Sequence, residues 1–314
     1  MVPSTPNLPR KQSGSNPQYL LITLLGDFWP GVPVDLPSAG IVALLGEFGI
    51  SPTGARSALS RLSTRGVLTQ SKQGRNTFYR LSDDVASVGA RSLHGIIAFA
   101  VEDEDTEWDG TWTLVAFSIP EDERQQRASL RSKLRSHRYT PLQDGVWMST
   151  APPTEELRAD LEEFSERYLT VFQSRVVPPD GLRARGPALA SELDALAEEY
   201  AEFIEHYRGV LDVARTGDLA PKQAYLERVR LMSRWRGLYR MDPRLPASLL
   251  PANWRRREAG ELFRETYDGL GPLAEMHCRR VLAAFELPDE LQPRHYSASR
   301  VLAGGVTGAV ATTE

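Results

Sequence analysis

The chain has 314 residues, of which 41% are hydrophobic, so it is long enough to form two or three domains with their own cores. No apolar run approaches the roughly 18 residues needed to cross a bilayer, and the first residues lack the apolar segment of a secretory signal. The single cysteine, Cys278, excludes an internal disulfide bond. These features predict a cytoplasmic protein without a membrane partner.

Charge is distributed unevenly along the chain. The formal net charge is −4, yet residues 1–82 contain eight Lys or Arg and only three Asp or Glu. Residues 102–177 contain nine basic and sixteen acidic residues. Because phosphate groups respond to the local field within about 8–10 Å, an acidic protein with a basic N-terminal segment can still bind nucleic acid.

The sequence of the N-terminal part predicts a disordered tail followed by helices. Residues 1–16 are rich in Pro, Ser and Asn, a composition typical of a disordered tail. Apolar residues at helical spacing predict a first helix from Pro17 to Phe28 and a second from Pro37 to Phe48. Residues 34–36 predict a small strand between them.

A turn and a third helix follow, and then two strands. Gly49 stands where a left-handed backbone ends the second helix, and Ser51 is suited to cap a helix over residues 52–65. Two short strands, 67–72 and 77–81, flank a polar tip. Helix, turn, helix and hairpin in this order predict a winged helix-turn-helix domain.

The third predicted helix separates an apolar face from a basic one. Ala55, Ala58, Leu59 and Leu62 share one face, and no acidic residue lies within residues 52–82. An opposite face rich in Arg, Ser and Thr is typical of a helix that enters the DNA major groove. The alternative is a surface helix and hairpin whose arginines are only solvated. The predicted DNA-binding residues are Thr53, Arg56, Ser57, Ser60, Arg61, Thr64, Lys72, Arg75 and Asn76.

The middle of the chain predicts a second module. A linker helix over residues 83–100 leads to an acidic connector at residues 102–109. From Gly110 to Val177, the predicted order is strand, helix, strand, strand, helix, strand, with Asp144-Gly145 as a hairpin turn. This is the order of a ferredoxin-like domain.

The C-terminal part predicts helices over residues 188–213, 221–239 and 253–285, after a Pro- and Gly-rich break. Arginines interleave here with aromatic residues, which suits a ligand that joins phosphates to a ring. Packing between helices is the alternative. The predicted effector-binding residues are Arg228, Arg234, Trp235, Tyr239, Arg240 and Trp254.

A second arginine group belongs to the first predicted helix of the middle module. Its five members fall on one face if that helix is regular. They would contact DNA phosphates, an acidic partner or an anionic ligand, and a solvated face is the alternative. The group consists of Arg124, Arg127, Arg131, Arg135 and Arg138.

These elements together predict an α+β multidomain protein with a helical C-terminal domain. The predicted segments are a disordered tail at 1–16, a winged helix-turn-helix domain at 17–83, a linker helix and acidic connector at 84–109, a ferredoxin-like domain at 110–177, a helical effector and dimerisation domain at 178–287, and a flexible tail at 288–314.

Catalytic chemistry has little support in the sequence. The five histidines show no metal-ligand spacing with each other or with Cys278. No nucleotide-binding loop or nucleophile motif occurs in a suitable context. We therefore predict no catalytic residue, no metal, no cofactor and no enzymatic activity.

Four segments resemble PaaX-type transcriptional repressors. Three resemble the N-terminal domain of that family: LLITLLGDF at 20–28, FGISPTGARSALSRLSTRGVL at 48–68 and GRNTFYRLS at 74–82. The fourth, WRGLYRMDPRLPASLLPANW at 235–254, resembles the family's C-terminal signature. The resemblance covers roughly residues 17–285.

The resemblance implies a function as well as a fold. It implies a winged helix-turn-helix, a middle ferredoxin-like domain similar to the Cas2 fold, and a helical C-terminal domain. It further implies a homodimeric repressor on an inverted-repeat DNA operator, released by a small-molecule effector of the aryl-CoA thioester type, such as phenylacetyl-CoA. Arg56, Ser60 and Arg61 match the recognition-helix positions of the family. Asn76 and Thr77 replace a more basic or Ser-rich wing tip, so contact with DNA is expected to differ there.

Two other functions remain as alternatives. A metal-dependent nuclease would use the ferredoxin-like domain, but the strand TWTLVAFSIP ends without the carboxylate that such chemistry needs. An acyl-CoA-binding protein with vestigial DNA contact is the other alternative. Cleavage of DNA with Mg²⁺ would favour the first, and binding of a CoA ester without operator binding would favour the second.

Overall fold

A computed structural model describes residues 16–102, 108–165, 168–175 and 187–305 of the chain. The predicted disordered tail covers residues 1–16, and all of it except Asn16 lies outside the described residues. Most of the predicted acidic connector, the Pro- and Gly-rich break and the last nine residues of the predicted flexible tail lie outside them as well.

The N-terminal part contains four helices and three strands. The prediction of a first helix at residues 17–28 is confirmed, and the second helix is shorter than predicted. The elements are α1 (Pro17–Phe28), β1 (Leu36–Pro37), α2 (Ser38–Gly46), α3 (Pro52–Thr64), β2 (Leu68–Gln73), β3 (Asn76–Leu81) and α4 (Asp83–Ala98). The three strands form an antiparallel sheet in the order β1-β3-β2.

The middle part contains the strand and helix order that the sequence predicts. Its elements are β4 (Thr111–Phe117), α5 (Arg124–Ser136), β5 (Thr140–Gln143), β6 (Val146–Ser149), α6 (Glu155–Ser165) and β7 (Leu169–Arg175). A single 3₁₀ turn at Glu121–Glu123 precedes α5. The four strands form an antiparallel sheet in the order β5-β6-β4-β7, so the first strand of the module lies between the third and the fourth.

The C-terminal part is helical in its described residues. Its elements are α7 (Pro187–Thr216), α8 (Pro221–Met241), α9 (Arg256–Leu282) and the short α10 (Ala298–Leu302). All three long helices run to within a few residues of their predicted ends. They form because apolar residues recur at helical spacing along each of them.

The chain divides into two compact units. The first consists of the residues up to Val101, Ile204–Gly237 and the residues from Gly260 onward. The second consists of Glu102–Phe203 and Leu238–Ala259. Each unit therefore combines segments that are distant in sequence.

The core of the first unit joins the N-terminal helices to the C-terminal ones. Buried side chains of α1, α2 and α3 pack in one cluster with Tyr225, Val229, Cys278 and Leu282. The Tyr225 hydroxyl donates a hydrogen bond of 3.2 Å to the backbone oxygen of Leu44 in α2. The segment predicted as a separate DNA-binding domain thus shares its core with helices α8 and α9.

Helix α4, predicted as a linker, is part of this core. Its Leu93, Ile96 and Ile97 are buried. The backbone oxygen of Ile96 accepts a hydrogen bond of 2.9 Å from the indole nitrogen of Trp235. A Cβ placed at Gly260 of α9 would lie 2.5 Å from the backbone oxygen of Ala100, so only glycine fits this close approach.

The prediction of a flexible tail from residue 288 is wrong for the described residues 288–305. Ala298 and Val301 of α10 are buried in the first unit. The backbone oxygen of Leu291 accepts a hydrogen bond of 2.9 Å from the indole nitrogen of Trp29. Pro, Gly and polar residues suggested disorder, but a few apolar side chains are enough to fix this segment against a larger core.

In the second unit, one face of the four-stranded sheet is covered by α5 and α6. Val115 of β4 and Trp147 of β6 pack there against Leu130 and Leu134 of α5. A second cluster joins Trp112 to residues of α7 and of the connector before α9, namely Leu193, Leu245 and Leu249. Both faces of the sheet therefore contribute to a core.

Candidate nucleic-acid interface

Helix α3 begins at a capped turn. Gly49 has a φ of +76°, the left-handed conformation that the sequence predicts for it. The Ser51 side chain accepts a hydrogen bond of 3.2 Å from the backbone N–H of Gly54, and Pro52 occupies the first turn. This cap fixes where the helix starts and therefore which side chains face outward.

The apolar face of α3 is fully buried. Ala55, Ala58, Leu59 and Leu62 have at most 2% of their surface exposed. They anchor the helix to the core of the first unit, as the periodicity predicts. The remaining side chains point away from that core because a helix with one buried stripe leaves the opposite stripe in solvent.

The structure brings the predicted α3 residues together on one surface. Ser57 is half-buried and the others are exposed. The guanidinium groups of Arg56 and Arg61 form no hydrogen bond or ion pair with another described residue. The Thr64 hydroxyl donates to the backbone oxygen of Ser60 at 3.0 Å, so its oxygen remains free to accept. The exposed members are Thr53, Arg56, Ser60, Arg61 and Thr64.

The hairpin β2-β3 carries the second group of predicted residues. Gln73 pairs with Asn76, so the tip consists of Gly74 and Arg75 alone, which is shorter than predicted. Gly74 has a φ of +59°, a conformation that suits the first residue of a two-residue hairpin loop. Arg75 stands exposed at this tip, and Lys72 and Asn76 are exposed beside it.

One exposed arginine beside this surface was missed in the sequence analysis. Arg65 directly follows α3, one turn after Arg61, and its guanidinium donates a hydrogen bond of 3.4 Å to the side chain of Gln18 in α1. The four-residue spacing from Arg61 was the available signal. The basic face therefore extends past the end of the helix.

The predicted effector residues do not form one cluster within a unit. Arg228, Arg234 and Trp235 belong to the first unit, whereas Tyr239, Arg240 and Trp254 belong to the second. The Arg234 guanidinium lies 5.8 Å from the ring of Tyr207. Tyr239 and Trp254 contact Arg244 and Tyr200, respectively.

Arg228 is engaged by protein groups on all sides. Its side chain is 0% exposed, and its guanidinium forms two hydrogen bonds, of 2.8 and 3.1 Å, to the carboxylate of Asp27. It also donates to the backbone oxygens of Tyr267, at 2.6 Å, and Tyr296, at 3.3 Å. Burial lowers the pKa of Arg228, but Asp27 outweighs it, so the pKa lies above its ordinary value. These contacts show that Arg228 is a buried core residue whose donors are already bonded to protein groups.

Trp235 is buried in the same way. It has 0% exposure, and its ring stacks on Phe263 at a centroid distance of 4.7 Å with an interplanar angle of 13°. Its indole N–H is already bonded to Ile96. Among the six predicted effector residues, Arg240 is the exposed one, and it borders a cavity in the second unit.

The described residues offer no group of three or more His, Cys, Asp or Glu side chains placed to hold a metal ion. Across the same residues, every helix is too short or too polar to span a lipid bilayer.

Comparison with known proteins places this chain in a family. Models of three domains match in order: the PaaX-like protein model at residues 16–85, the PaaX protein central Cas2-like domain at 105–184, and the PaaX-like protein C-terminal domain at 192–280. The chain belongs to the PaaX family, as the resemblance implied.

A curated protein and a solved structure illustrate what the chain is similar to. The transcriptional repressor PaaX of Escherichia coli is 26% identical over 254 residues, which cover 79% of this chain and 76% of that protein. An uncharacterized protein of Mycobacterium tuberculosis, Rv0674, is 24% identical with a TM-score of 0.47, over 87% of this chain and 99% of that chain. The curated relative is a regulator rather than an enzyme, which agrees with the predicted absence of enzymatic activity and leaves the nuclease hypothesis unsupported.

Proposed function

We propose that the protein is a sequence-specific DNA-binding transcriptional repressor. In this proposal, residues 17–83 form a winged helix-turn-helix in which α3 enters the major groove and the β2-β3 tip is the wing. The similarity to a transcriptional repressor supports the proposal. In this proposal the protein acts in the cytoplasm, where it meets its DNA.

The observation that carries the proposal is the unpaired basic surface of α3. Arg56 and Arg61 are exposed, and neither guanidinium is neutralised by a described acidic residue. Short hydroxyl groups lie between them, and arginine with Ser or Thr is a typical set for base edges and phosphates. Arginines that only solvated a surface would often pair with nearby acids, and this segment contains none.

The hairpin tip supports a contact of a different kind. Arg75 is exposed at the end of two paired strands, a position that reaches a phosphate or the minor groove once α3 is docked. Such a contact positions the protein but carries little sequence information. We therefore assign base reading to Arg56, Arg61 and the hydroxyls of α3, and backbone contact to Lys72, Arg75 and Asn76.

The second unit would serve regulation rather than DNA reading. Its strand and helix order, with β4 between β6 and β7, supports a ferredoxin-like fold for this part of the chain. We propose that the protein is a homodimer on an inverted repeat and that a small molecule, of the aryl-CoA class suggested by the family, releases it. The effector must bind the DNA-competent and released states with different affinity.

The proposal is tested by finding the DNA that the full chain binds. Footprinting of bound genomic sites yields candidate operators, and fluorescence anisotropy then measures the affinity of the full chain for each. We expect an inverted repeat bound at least about a thousandfold more tightly than random DNA at physiological salt. Binding that is equal for all fragments would contradict sequence-specific regulation. Binding of CoA esters with no DNA affinity would support the acyl-CoA-binding alternative.

A further inference from the structure

A cavity of about 370 Å³ lies in the second unit. It is formed by the end of α5 and the start of β5, by the side of α7, and by the end of α8 with the connector that follows it. This volume is within the range of small-molecule sites in proteins. All of its lining residues belong to this one unit.

Three arginines from two different helix ends line the cavity. Arg135 and Arg138 come from the end of α5, and Arg240 comes from the end of α8. The guanidinium groups of Arg138 and Arg240 form no hydrogen bond or ion pair with another described residue. Arg135 lies with its guanidinium 5.0 Å from the ring of Trp147, a contact that leaves the N–H groups at its edge available.

The cavity also has an apolar wall. Pro141, Leu196, Met241 and Pro243 contribute to its lining, and Met241 is 43% exposed at this end of α8. Methionine adapts its shape to irregular ligands because it is unbranched and flexible. An apolar wall beside cationic groups suits a ligand with an apolar body and an anionic end.

The lining also contains three acidic residues, of which Asp242 is paired at 3.7 Å with Arg256, a residue outside the lining. The carboxylate of Asp242 is occupied by the Tyr200 hydroxyl at 2.6 Å and by the Arg244 backbone N–H at 2.6 Å. Glu192 and Glu199 lie on the α7 side. Burial raises the pKa of Glu192, and Arg135 lowers it in part, so the net effect favours the neutral acid relative to an ordinary glutamate.

The backbone at Arg138 is unusual. Its φ is +62°, and its backbone N–H donates to the Arg135 oxygen at 3.0 Å just past the end of α5. Glycine is the residue that normally occupies this left-handed position after a helix. The chain instead places an arginine there, and strained positions of this kind occur often at ligand-binding sites.

We propose that this cavity binds a small organic anion, with its carboxylate or phosphate group held by Arg138 and Arg240 and its apolar body against Leu196 and Met241. The role of this cavity as the effector site of a repressor rests on the proposed function, whereas ligand binding itself does not require DNA. Arg240 and two members of the predicted arginine group of the middle module, Arg135 and Arg138, meet at this site.

The test is isothermal titration calorimetry of the full chain without DNA. The anionic probes are 1-naphthyl phosphate and 1-naphthoate, and 1-naphthol is the neutral probe of the same shape. We expect the anions to bind at millimolar or lower concentration and 1-naphthol to bind at least about tenfold more weakly. Absence of heat from both anions at about 5 mM, or equal binding of all three probes, would overturn the proposal.

Variants distinguish binding of the anion in the cavity from non-specific attraction of the anion to arginines elsewhere on the surface. Arg138→Gly keeps the left-handed backbone relaxed, so the unit should fold, and Arg240→Gln keeps the size of a solvent-exposed side chain. Each should weaken 1-naphthyl phosphate at least about tenfold, while Arg158→Ala, an exposed arginine of α6, should leave it unchanged. Equal affinities for all variants would remove the site from this cavity.

A second measurement distinguishes failure of this inference from failure of the proposed function. Once an operator is known, fluorescence anisotropy follows the release of operator DNA from the wild type and from Arg138→Gly when 1-naphthyl phosphate is added. If Arg138→Gly binds the operator normally and the probe no longer releases the DNA from it, both the effector site and the proposed repressor function are supported. Loss of probe binding without any change in release would refute the effector role alone, and absence of operator binding would refute the proposed function alone.

Discussion

Helices α3 and α8 both carry arginines beside apolar residues, yet the structure gives these arginines opposite surroundings. Arg56 and Arg61 of α3 are exposed and have no described partner for their guanidinium groups. Arg228 of α8 is 0% exposed and is bonded to Asp27 and to two backbone oxygens. The same residue type therefore serves as an available donor in one helix and as a satisfied core group in the other.

The difference lies in what each helix must bury. Only one face of helix α3 packs against the core, so its arginines on the opposite face stay in solvent and their N–H groups remain available. Helix α8 contacts α1, α4 and α9, and its Arg228 lies between Asp27 of α1 and Tyr267 of α9. Removing an arginine from α3 should change binding, whereas removing Arg228 should change stability.

The largest effect is expected for Arg228→Met. This change leaves the Asp27 carboxylate buried without its cation, and breaking a buried pair on one side costs about 3–5 kcal/mol. The free energy of unfolding, measured by urea denaturation of the full chain, should fall by that amount. Arg240→Met removes an exposed arginine of the same helix that pairs with no described acidic residue, and it should cost less than about 1 kcal/mol.

A double variant tests whether the unpaired charge of Asp27 causes the loss of stability expected for Arg228→Met. Asp27→Asn combined with Arg228→Met removes both charges, so it should cost less than the sum of the single changes. Strictly additive losses would show that packing, rather than the ion pair, makes Arg228 important.

A smaller effect, on DNA binding, is expected for Arg56→Ala. If Arg56 contacts a base edge, operator affinity should fall by about 1–3 kcal/mol, and the free energy of unfolding should change by less than about 0.5 kcal/mol. Fluorescence anisotropy and urea denaturation measure the two quantities on the same preparation. Arg158→Ala is the control, and an unchanged operator affinity would exclude Arg56 from the interface.

Arg75→Ala should act more weakly and less selectively. Loss of one phosphate contact lowers affinity for all sequences alike and flattens the dependence of log affinity on log salt by about one unit. A salt titration with operator and random DNA measures this. A loss confined to the operator would mean that the wing reads bases.

The smallest effect is a pH dependence of stability through Glu47. Burial raises the pKa of this carboxyl, but hydrogen bonds from His277 and Lys222 outweigh it and hold the pKa below its ordinary value. Its stabilising contribution is therefore present above the ordinary carboxyl pKa and is lost as the pH falls from that value through the lowered pKa of Glu47. Glu47→Gln should reduce the slope of unfolding free energy against pH in this range, and an identical slope would argue against the contribution.

Local features of the fold were predictable because local signals specify them. The cap at Ser51, the left-handed Gly49 and the alternation of buried positions in α3 follow from neighbouring residues. The turn at Asp144-Gly145 follows from the same kind of signal. The hairpin of β2 and β3 was found as well, but its tip was predicted two residues too long, since strand ends depend on pairing.

Features that depend on distant residues were predicted less well. Residues 288–305 look polar and irregular, yet Val301 and Ala298 are buried in the first unit. Helix α4 was predicted as a linker, and its sequence does not reveal the distant segment that its apolar face contacts. That segment includes Trp235, which is far away in sequence.

The order of elements, the exposed basic face of α3 and the family could be predicted from the amino-acid sequence. These follow from periodicity, caps and motifs, all of which are read within short windows. Which arginines are available to a ligand depends on the tertiary structure, because burial and partners come from distant segments, such as Arg228 and Asp27, which are 201 residues apart. The tertiary structure likewise placed Arg138 and Arg240 at one cavity, since no local signal relates the ends of α5 and α8.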